Sequence, residues 1–363
     1  MTKVLRIGIL GTRGIPNRYG GFEQCAEYLS KGLVEKGHEV YVYNSHNHEY
    51  QADSWNGVHI VHCKDPEDKI GTAGQFLYDL NCIRDARKRN FDIVLQFGYT
   101  SSSIWYWYWP KHCKNIVNMD GLEWKRSKYN KPTQVFLKFA EKLAAKNGDI
   151  LVADSPRIQK HLKDAYKKDS VLISYGADTF DSPNEDLLKP FGLEPFSYNI
   201  LVARMEPENN IEMIIEGSLL ATKENKLVLV GNTHNGFGTY LKNKYASNKR
   251  IAFLEGIYDK ETLNNLRHFS NLYFHGHSVG GTNPSLLEAM GCSALMAAND
   301  NMFNRTILGG DAFYFANPKQ VAEIIEKVTD RKVFQSFLVN NTEKIKHIYN
   351  WQKIIDAYEQ IML

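Results

Sequence analysis

Several kinds of chemistry are missing from this chain. No two aspartates stand one residue apart, so the D-x-D pattern that holds a metal-bound nucleotide is absent, and H-E-x-x-H does not occur. Metal-dependent transfer loses its obvious machinery. Cysteine is sparse: Cys25, Cys63, Cys82, Cys113 and Cys292 are odd in number and form no C-x-x-C pair. Neither a disulfide framework nor a zinc site is expected, and the thiols read as reduced. No apolar run approaches the roughly eighteen residues that span a bilayer. The opening "MTKVLRIGILGTRGIP" is interrupted by arginine too early for a signal peptide. A cytoplasmic protein is expected. A net charge of +3 is too small to argue for nucleic acid, so any basic surface must be local.

What is present is a long alternation of strand and helix patterns. At 363 residues the chain suits two domains of ordinary size. Strand-like runs such as "VLRIGIL", "HEVYVYN", "FDIVLQFG" and "DILVADS" alternate with helical patterns near 22–36, 76–89, 132–146 and 156–165. This predicts an α/β fold with mostly parallel sheets. From Ala177 to Tyr198 three prolines and scattered acids break the pattern, as in a connection. A second series follows, through "NILVARM", "KLVLVGN", "IAFLEGI", "NLYFHGH", "ALMAAN" and "AFYFAN". The expected plan is a Rossmann-like domain over 1–176, a linker over 177–198, a second Rossmann-like domain over 199–345 and a final amphipathic helix over 346–363. Open parallel sheets bind ligands at the carboxyl ends of their strands. Two such domains facing across a cleft would hold a donor on one wall and an acceptor on the other.

The densest motif is "HGHSVGGTNPSLLEAMG", from His275 to Gly291. Gly280 and Gly281 permit a tight turn, and Asn283-Pro284 starts a helix with Asn as cap and Pro at the first position. Such a strand-to-helix turn is an anion site, because free N–H groups and the helix dipole both favour negative charge. Glu288, one turn into the helix, either accepts hydrogen bonds from ribose hydroxyls or completes a capping box with Ser285. In the first half, "GTRGIPNRYGGFE" sets Arg13, Arg18 and Tyr19 before Gly20 and Gly21, matching neither G-x-G-x-x-G nor a Walker A loop. Its two guanidinium groups suit phosphate. Asp120 ends a strand in "VNMDGLEWKR", followed by Glu123, Lys125 and Arg126, either at a site edge or in a charged surface loop. Arg204 in "ARMEPENN" either reaches a diphosphate or pairs with Glu206 or Glu208. The run "IWYWYWPKHCK" precedes a stretch, Lys111 to Lys146, with nine Lys and Arg against three acids. Aromatic residues beside cations suit an anionic inner-leaflet surface; the alternative is ordinary core between strands.

Together "GTRGIPNRYGGFE", "DGLEWKR", "ARMEPENN" and "GGTNPSLLEAMG" resemble retaining glycosyltransferases of family 4, which have the GT-B fold, and within them a bacterial rhamnosyltransferase-like subgroup of capsular and surface polysaccharide synthesis. By this resemblance Glu288 holds the donor ribose and Arg204 the donor diphosphate. The family's first glutamate falls on Gly280, which makes His275, His277, Thr282 and Asn283 candidates for the donor sugar. Its customary lysine falls on Asn209, which leaves Asn209 or Asn210 and the helix N–H groups more of the work. Gly20 and Gly21 match the loop beside the diphosphate and acceptor, and Asp120 falls near the reacting carbon.

The resemblance implies a metal-independent transfer without cofactor, with dTDP-L-rhamnose as donor and a polyprenyl-diphosphate-linked saccharide as acceptor. It further implies that the final helix returns to the first domain. Three alternatives are a nucleotide-sugar epimerase of the same build, a nicotinamide-dependent dehydrogenase, and a non-catalytic partner in a polysaccharide assembly complex.

Overall fold

A computed structural model describes residues 3–119, 121–126 and 129–363. The chain divides into two compact units. The first holds most of the chain up to Tyr175 together with Trp351–Leu363, and the second holds Gly176–Asn350 together with Arg126.

The first unit is built on β1 (Arg6–Leu10), β2 (Glu39–Ser45), β3 (Ser54–Trp55), β4 (Val58–Cys63), β5 (Ile93–Phe97), β6 (Lys114–Asn118), β7 (Ile150–Ala153) and β8 (Val171–Leu172). Their order is β3-β4-β2-β1-β5-β6-β7-β8, and every pairing is parallel except β3 with β4. All five residues of β5 are buried, as a central strand covered on both faces requires. The connecting helices are α1 (Gly21–Glu35), α2 (Glu67–Ile70), α3 (Ala73–Ala86), α4 (Lys131–Asn147) and α5 (Pro156–Tyr166). Asn130 and Ser155 cap α4 and α5, each with proline in the first turn, which is why the sequence marked their starts well. The strand expected at "SVLISYG" shrinks to the two residues of β8, both exposed at the sheet edge.

The second unit carries β9 (Tyr198–Val202), β10 (Lys226–Val230), β11 (Ile251–Leu254), β12 (Leu272–His275), β13 (Met296–Asn299) and β14 (Phe313–Phe315). They form one parallel sheet in the order β11-β10-β9-β12-β13-β14. Its helices are α6 (Ile211–Leu220), α7 (Gly236–Tyr245), α8 (Lys260–His268), α9 (Pro284–Gly291), α10 (Met302–Leu308), α11 (Pro318–Lys327) and α12 (Gln335–His347). The last three went unread in the sequence, although Asn317-Pro318 caps α11 in the same way that Asn283-Pro284 caps α9. Residues 177–198 group with this unit. They contain a 3-10 turn, Glu185–Phe191, that buries Leu188, and Phe180 N–H donates to the Gly291 carbonyl.

The final helix, α13 (Trp351–Met362), belongs to the first unit and packs on α1. Gly32 lets it approach, since a Cβ there would run into Ile355. Trp351 stacks on Tyr28 with ring centroids 4.3 Å apart, and the Tyr358 hydroxyl accepts from Asn118 Nδ2 at 2.9 Å. The aromatic run forms a 3-10 turn, Ser103–Tyr108, whose rings divide. Trp109 is buried and donates to the Ser102 carbonyl, Trp105 donates to the Phe76 carbonyl at 2.9 Å, and Trp107 is exposed. Trp109 is therefore core, Trp105 packs half-buried against it, and Trp107 faces solvent. Among the described residues no helix is long and apolar enough to cross a membrane.

Candidate functional site

In the second unit β9 lies between β10 and β12, so the chain leaves β9 in one direction and later returns on its other side. The loops after β9 and β12 therefore diverge at their carboxyl ends, which is where an open sheet binds its ligand. Gly276 brings the two loops together: a Cβ there would collide with the Asn209 carbonyl, and Asn210 Nδ2 donates to the Gly276 carbonyl at 2.7 Å. Asn210 itself takes a left-handed conformation, φ 50°, at the start of α6. Asn209 Nδ2 donates to the Arg204 carbonyl at 2.7 Å, which fixes the backbone from which Arg204 projects.

Arg204 is exposed and forms no ion pair among the described residues; neither Glu206 nor Glu208 takes it. Glu208 instead lies 3.6 Å from Arg126 and, through its carbonyl, accepts from Ser278 N–H and Oγ. His275 ends β12 and His277 lies two residues beyond, and their rings stack with centroids 4.4 Å apart at 14°. Asn301 and Asn304 both donate to the His277 carbonyl, at 2.9 and 3.2 Å. Both nitrogens of His275, and Nδ1 of His277, are buried without a hydrogen-bond partner among the described residues. Burial pushes the His275 imidazole well below its ordinary range, with a smaller push from His277. Burial and the charges of Arg204 and Arg126 push His277 down to about 3. Both rings are neutral at neutral pH, so each has one donor and one acceptor nitrogen.

Gly280 has φ +135°, a backbone that L side chains rarely adopt, with open space where a Cβ would stand. The turn needs glycine there. The N–H groups of Gly280 and Gly281 donate to no acceptor among the described residues. Asn283 caps α9 by accepting from Ser285 N–H at 3.0 Å. The Ser285 hydroxyl is bound to the Tyr273 hydroxyl at 2.7 Å and to the Val202 carbonyl, so Ser285 and Glu288 make no capping box. Glu288 Oε2 pairs with Arg267 Nη2 at 2.5 Å. Arg267 is buried; burial works against its charge, yet Glu288 holds its pKa above the ordinary value. Nothing in the spacing of "LNNLRHFS" singled out Arg267.

The first unit has the corresponding divergence between β1 and β5. Gly11, φ +86°, passes so close to the Phe97 carbonyl that no side chain fits. Gly20 caps α1 and Gly21 is its first residue, but the turn is already supplied with acceptors. Asn17 Oδ1 takes the N–H groups of Tyr19 and Gly20, and buried Glu23 takes Arg13 N–H at 2.9 Å. The two guanidinium groups are also engaged. Arg13 makes a two-pronged pair with Glu67 and lies 3.9 Å from the Tyr19 ring centre, and Arg18 lies 3.5 Å from Glu49. Glu123 and Lys125 begin and end a 3-10 turn, with Lys125 Nζ 5.2 Å from the Trp124 ring centre. Asp120 lies outside the described residues.

Below this loop, buried Glu141 accepts from Trp124 Nε1 and from the Tyr99 and Tyr166 hydroxyls, and contacts His161 Nε2 at 2.6 Å. The sequence reading missed this carboxylate because only the tertiary structure brings its partners together. Among the described residues, no group of three His, Cys, Asp or Glu is placed to hold a metal ion.

Residues 4–178 match the family model described as "Domain of unknown function (DUF1972)". No curated protein matches the chain significantly. Among solved structures, sucrose-phosphate synthase from Thermosynechococcus elongatus aligns with a TM-score of 0.83 at 16% identity, covering 98% of each chain. HepE from Anabaena, solved in complex with UDP and glucose, aligns with a TM-score of 0.76 at 16% identity over 99% of each chain. A glycosyltransferase from Rickettsia africae aligns with a TM-score of 0.72 at 16% identity, covering 99% of this chain and 98% of that one. The chain thus has the α/β architecture of the GT-B glycosyltransferases, with two sheets of parallel strands.

Proposed function

We propose that this protein is a glycosyltransferase that moves a sugar from a nucleoside diphosphate, with retention of configuration and without a metal ion. The observation that carries the reading is the turn after β12. Among the described residues, the N–H groups of Gly280 and Gly281 before α9 donate to no acceptor, and Arg204, just past the end of the adjoining strand, has no ion-pair partner. An anion is the complement of that arrangement. The fold it shares with HepE, a protein solved with UDP and glucose, agrees with a nucleotide-sugar.

Arg204 and the turn would stabilise the departing diphosphate, the electrostatic contribution that usually dominates such transfers. Glu288, already oriented by Arg267, would accept from the ribose hydroxyls. The stacked histidines would meet the sugar with one donor and one acceptor each. Asp120 would orient the acceptor hydroxyl, take its proton or stabilise charge developing on the sugar. The resemblance to the rhamnosyltransferase-like members of family 4 selects dTDP-L-rhamnose as donor and a polyprenyl-diphosphate-linked saccharide as acceptor, used by a cytoplasmic protein peripheral to the membrane.

The test is thermal unfolding in EDTA with dTDP, UDP, GDP, ADP or NAD, then with the sugar forms of the nucleotide that binds. A ligand at a hundred times its Kd adds about 2.7 kcal/mol. A selective rise with dTDP and dTDP-rhamnose, lost in Arg204→Ala, is expected. A rise with UDP alone moves the donor to a UDP-sugar, and a shift with NAD alone, or with none, overturns the transferase reading.

A further inference from the structure

Helix α4 carries an outer stripe of exposed side chains. Lys131, Val135, Lys138, Phe139, Lys142 and Lys146 are all exposed. At 3.6 residues per turn they fall within an arc of about 100°. Val135 and Phe139 are 68% and 54% exposed. The opposite face, with Leu137, Ala140, Ala144 and Ala145, is buried against the unit.

The charge on this stripe has one sign. The helix contains a single acid, Glu141, which is buried and bonded to Trp124 and Tyr166. None of the four lysines pairs with a carboxylate among the described residues; Lys138 instead lies 4.1 Å from the Trp124 ring centre, a contact that leaves its charge intact. The 3-10 turn Ser103–Tyr108 packs beside α4 and presents Trp107, 51% exposed. Large apolar side chains flanked by uncompensated lysines match an interface where rings and alkyl groups enter the headgroup level while the ammonium groups meet lipid phosphate.

We propose that the α4 stripe, with Trp107, is the surface through which this protein rests on an anionic lipid bilayer. This rests on the reading that the protein works peripherally at a membrane, and it replaces the tryptophan run as a whole with one helix face and one ring. A protein partner would need acids of its own to match the four lysines, whereas an anionic bilayer supplies charge without specific geometry.

The experiment is co-sedimentation of the full chain with vesicles of phosphatidylglycerol and phosphatidylcholine, against pure phosphatidylcholine, at low and high salt. Wild type should pellet with the anionic vesicles at low salt and be released by salt. Phe139→Glu and Lys142→Glu should each weaken binding about tenfold or more. Val333→Glu, at another exposed valine, should change nothing. Every variant is read together with its melting temperature, so that an unfolded one is recognised. Wild-type binding that survives Phe139→Glu combined with Lys142→Glu overturns the stripe and leaves membrane association standing. Failure of the wild type to bind either vesicle overturns both. A dimer in solution that Phe139→Glu dissolves, without vesicle binding, assigns the stripe to a second copy and overturns the proposal.

Discussion

Replacing Glu288 by alanine tests the fold and the proposed donor site at once, and the two effects can be separated. The Arg267 guanidinium is 3% exposed and Glu288 is its carboxylate partner, at 2.5 Å. After the substitution Arg267 keeps only its Nη1 bond to Asn264 Oδ1 at 3.1 Å, while its Nε is buried without an acceptor. Stripping one partner from a buried ion pair costs about 3–5 kcal/mol, because the other charge stays desolvated. The Glu288 side chain is 21% exposed, which places the expectation near the lower end. For a unit of this size each kcal/mol shifts the midpoint by about 2–4 °C, so a fall of about 6–12 °C is expected without ligand. The assay is differential scanning fluorimetry at neutral pH. The double variant Arg267→Met with Glu288→Leu should recover most of the loss, since it leaves no buried charge. Glu288→Gln keeps an amide oxygen for Arg267, and in this variant donor affinity, measured by calorimetry, should fall more than stability does. A Glu288→Ala melt within about 2 °C of wild type would refute the buried pair.

Three further outcomes are expected. His277 is held neutral in the folded chain, with its pKa below the ordinary 6.5. Its contribution to stability is therefore complete above that value and is lost as pH falls toward the folded pKa, by up to about 1.4 kcal/mol per pH unit. Urea unfolding between pH 6.5 and 5 should be less pH-dependent in His277→Gln than in wild type, and parallel curves would remove the buried imidazole from the account. Gly280→Ala meets no neighbour but must adopt φ +135°, at a cost of about 1–3 kcal/mol; an unchanged denaturation midpoint would mean that the turn does not require that backbone. Asp79 is buried, receives the Ser101 hydroxyl at 2.5 Å, and is pushed up to about 7 by burial from an ordinary 3.8. Its raised pKa favours the fold fully below the ordinary value and loses that benefit as pH rises through about 7. Asp79→Asn should accordingly gain stability over wild type from pH 4 to pH 7, and a constant difference across that range would contradict the burial argument.

Legibility followed the range of the signal. The strands "VLRIGIL" and "KLVLVGN" and the starts of α4, α5 and α9 depend on residues within a few positions of one another, so they were readable directly. The run "AFYFANPKQVAEIIEKV" also carried a local cap, Asn317-Pro318, and its helix was overlooked rather than hidden. The site was harder. Arg204, the glycine turn and Glu288 stood out because strand ends and helix starts can be located in sequence. Arg267, Glu141, Asn301 and Asn304 did not, because each matters only through partners far along the chain.

The sequence by itself determined the alternation of strand and helix, the caps, the odd unpaired cysteines and the glycines that certain turns demand. These are consequences of local sterics and hydrogen bonding, in which neighbouring residues suffice. Only the tertiary structure decided which charges were already spent. Arg13, Arg18 and Arg204 were all phosphate candidates in sequence, yet Glu67 and Glu49 reach the first two and, among the described residues, no carboxylate reaches the third. It likewise decided that Trp109 is core while Phe139 faces water, because burial depends on which elements pack together, and that information is absent from any single stretch of chain.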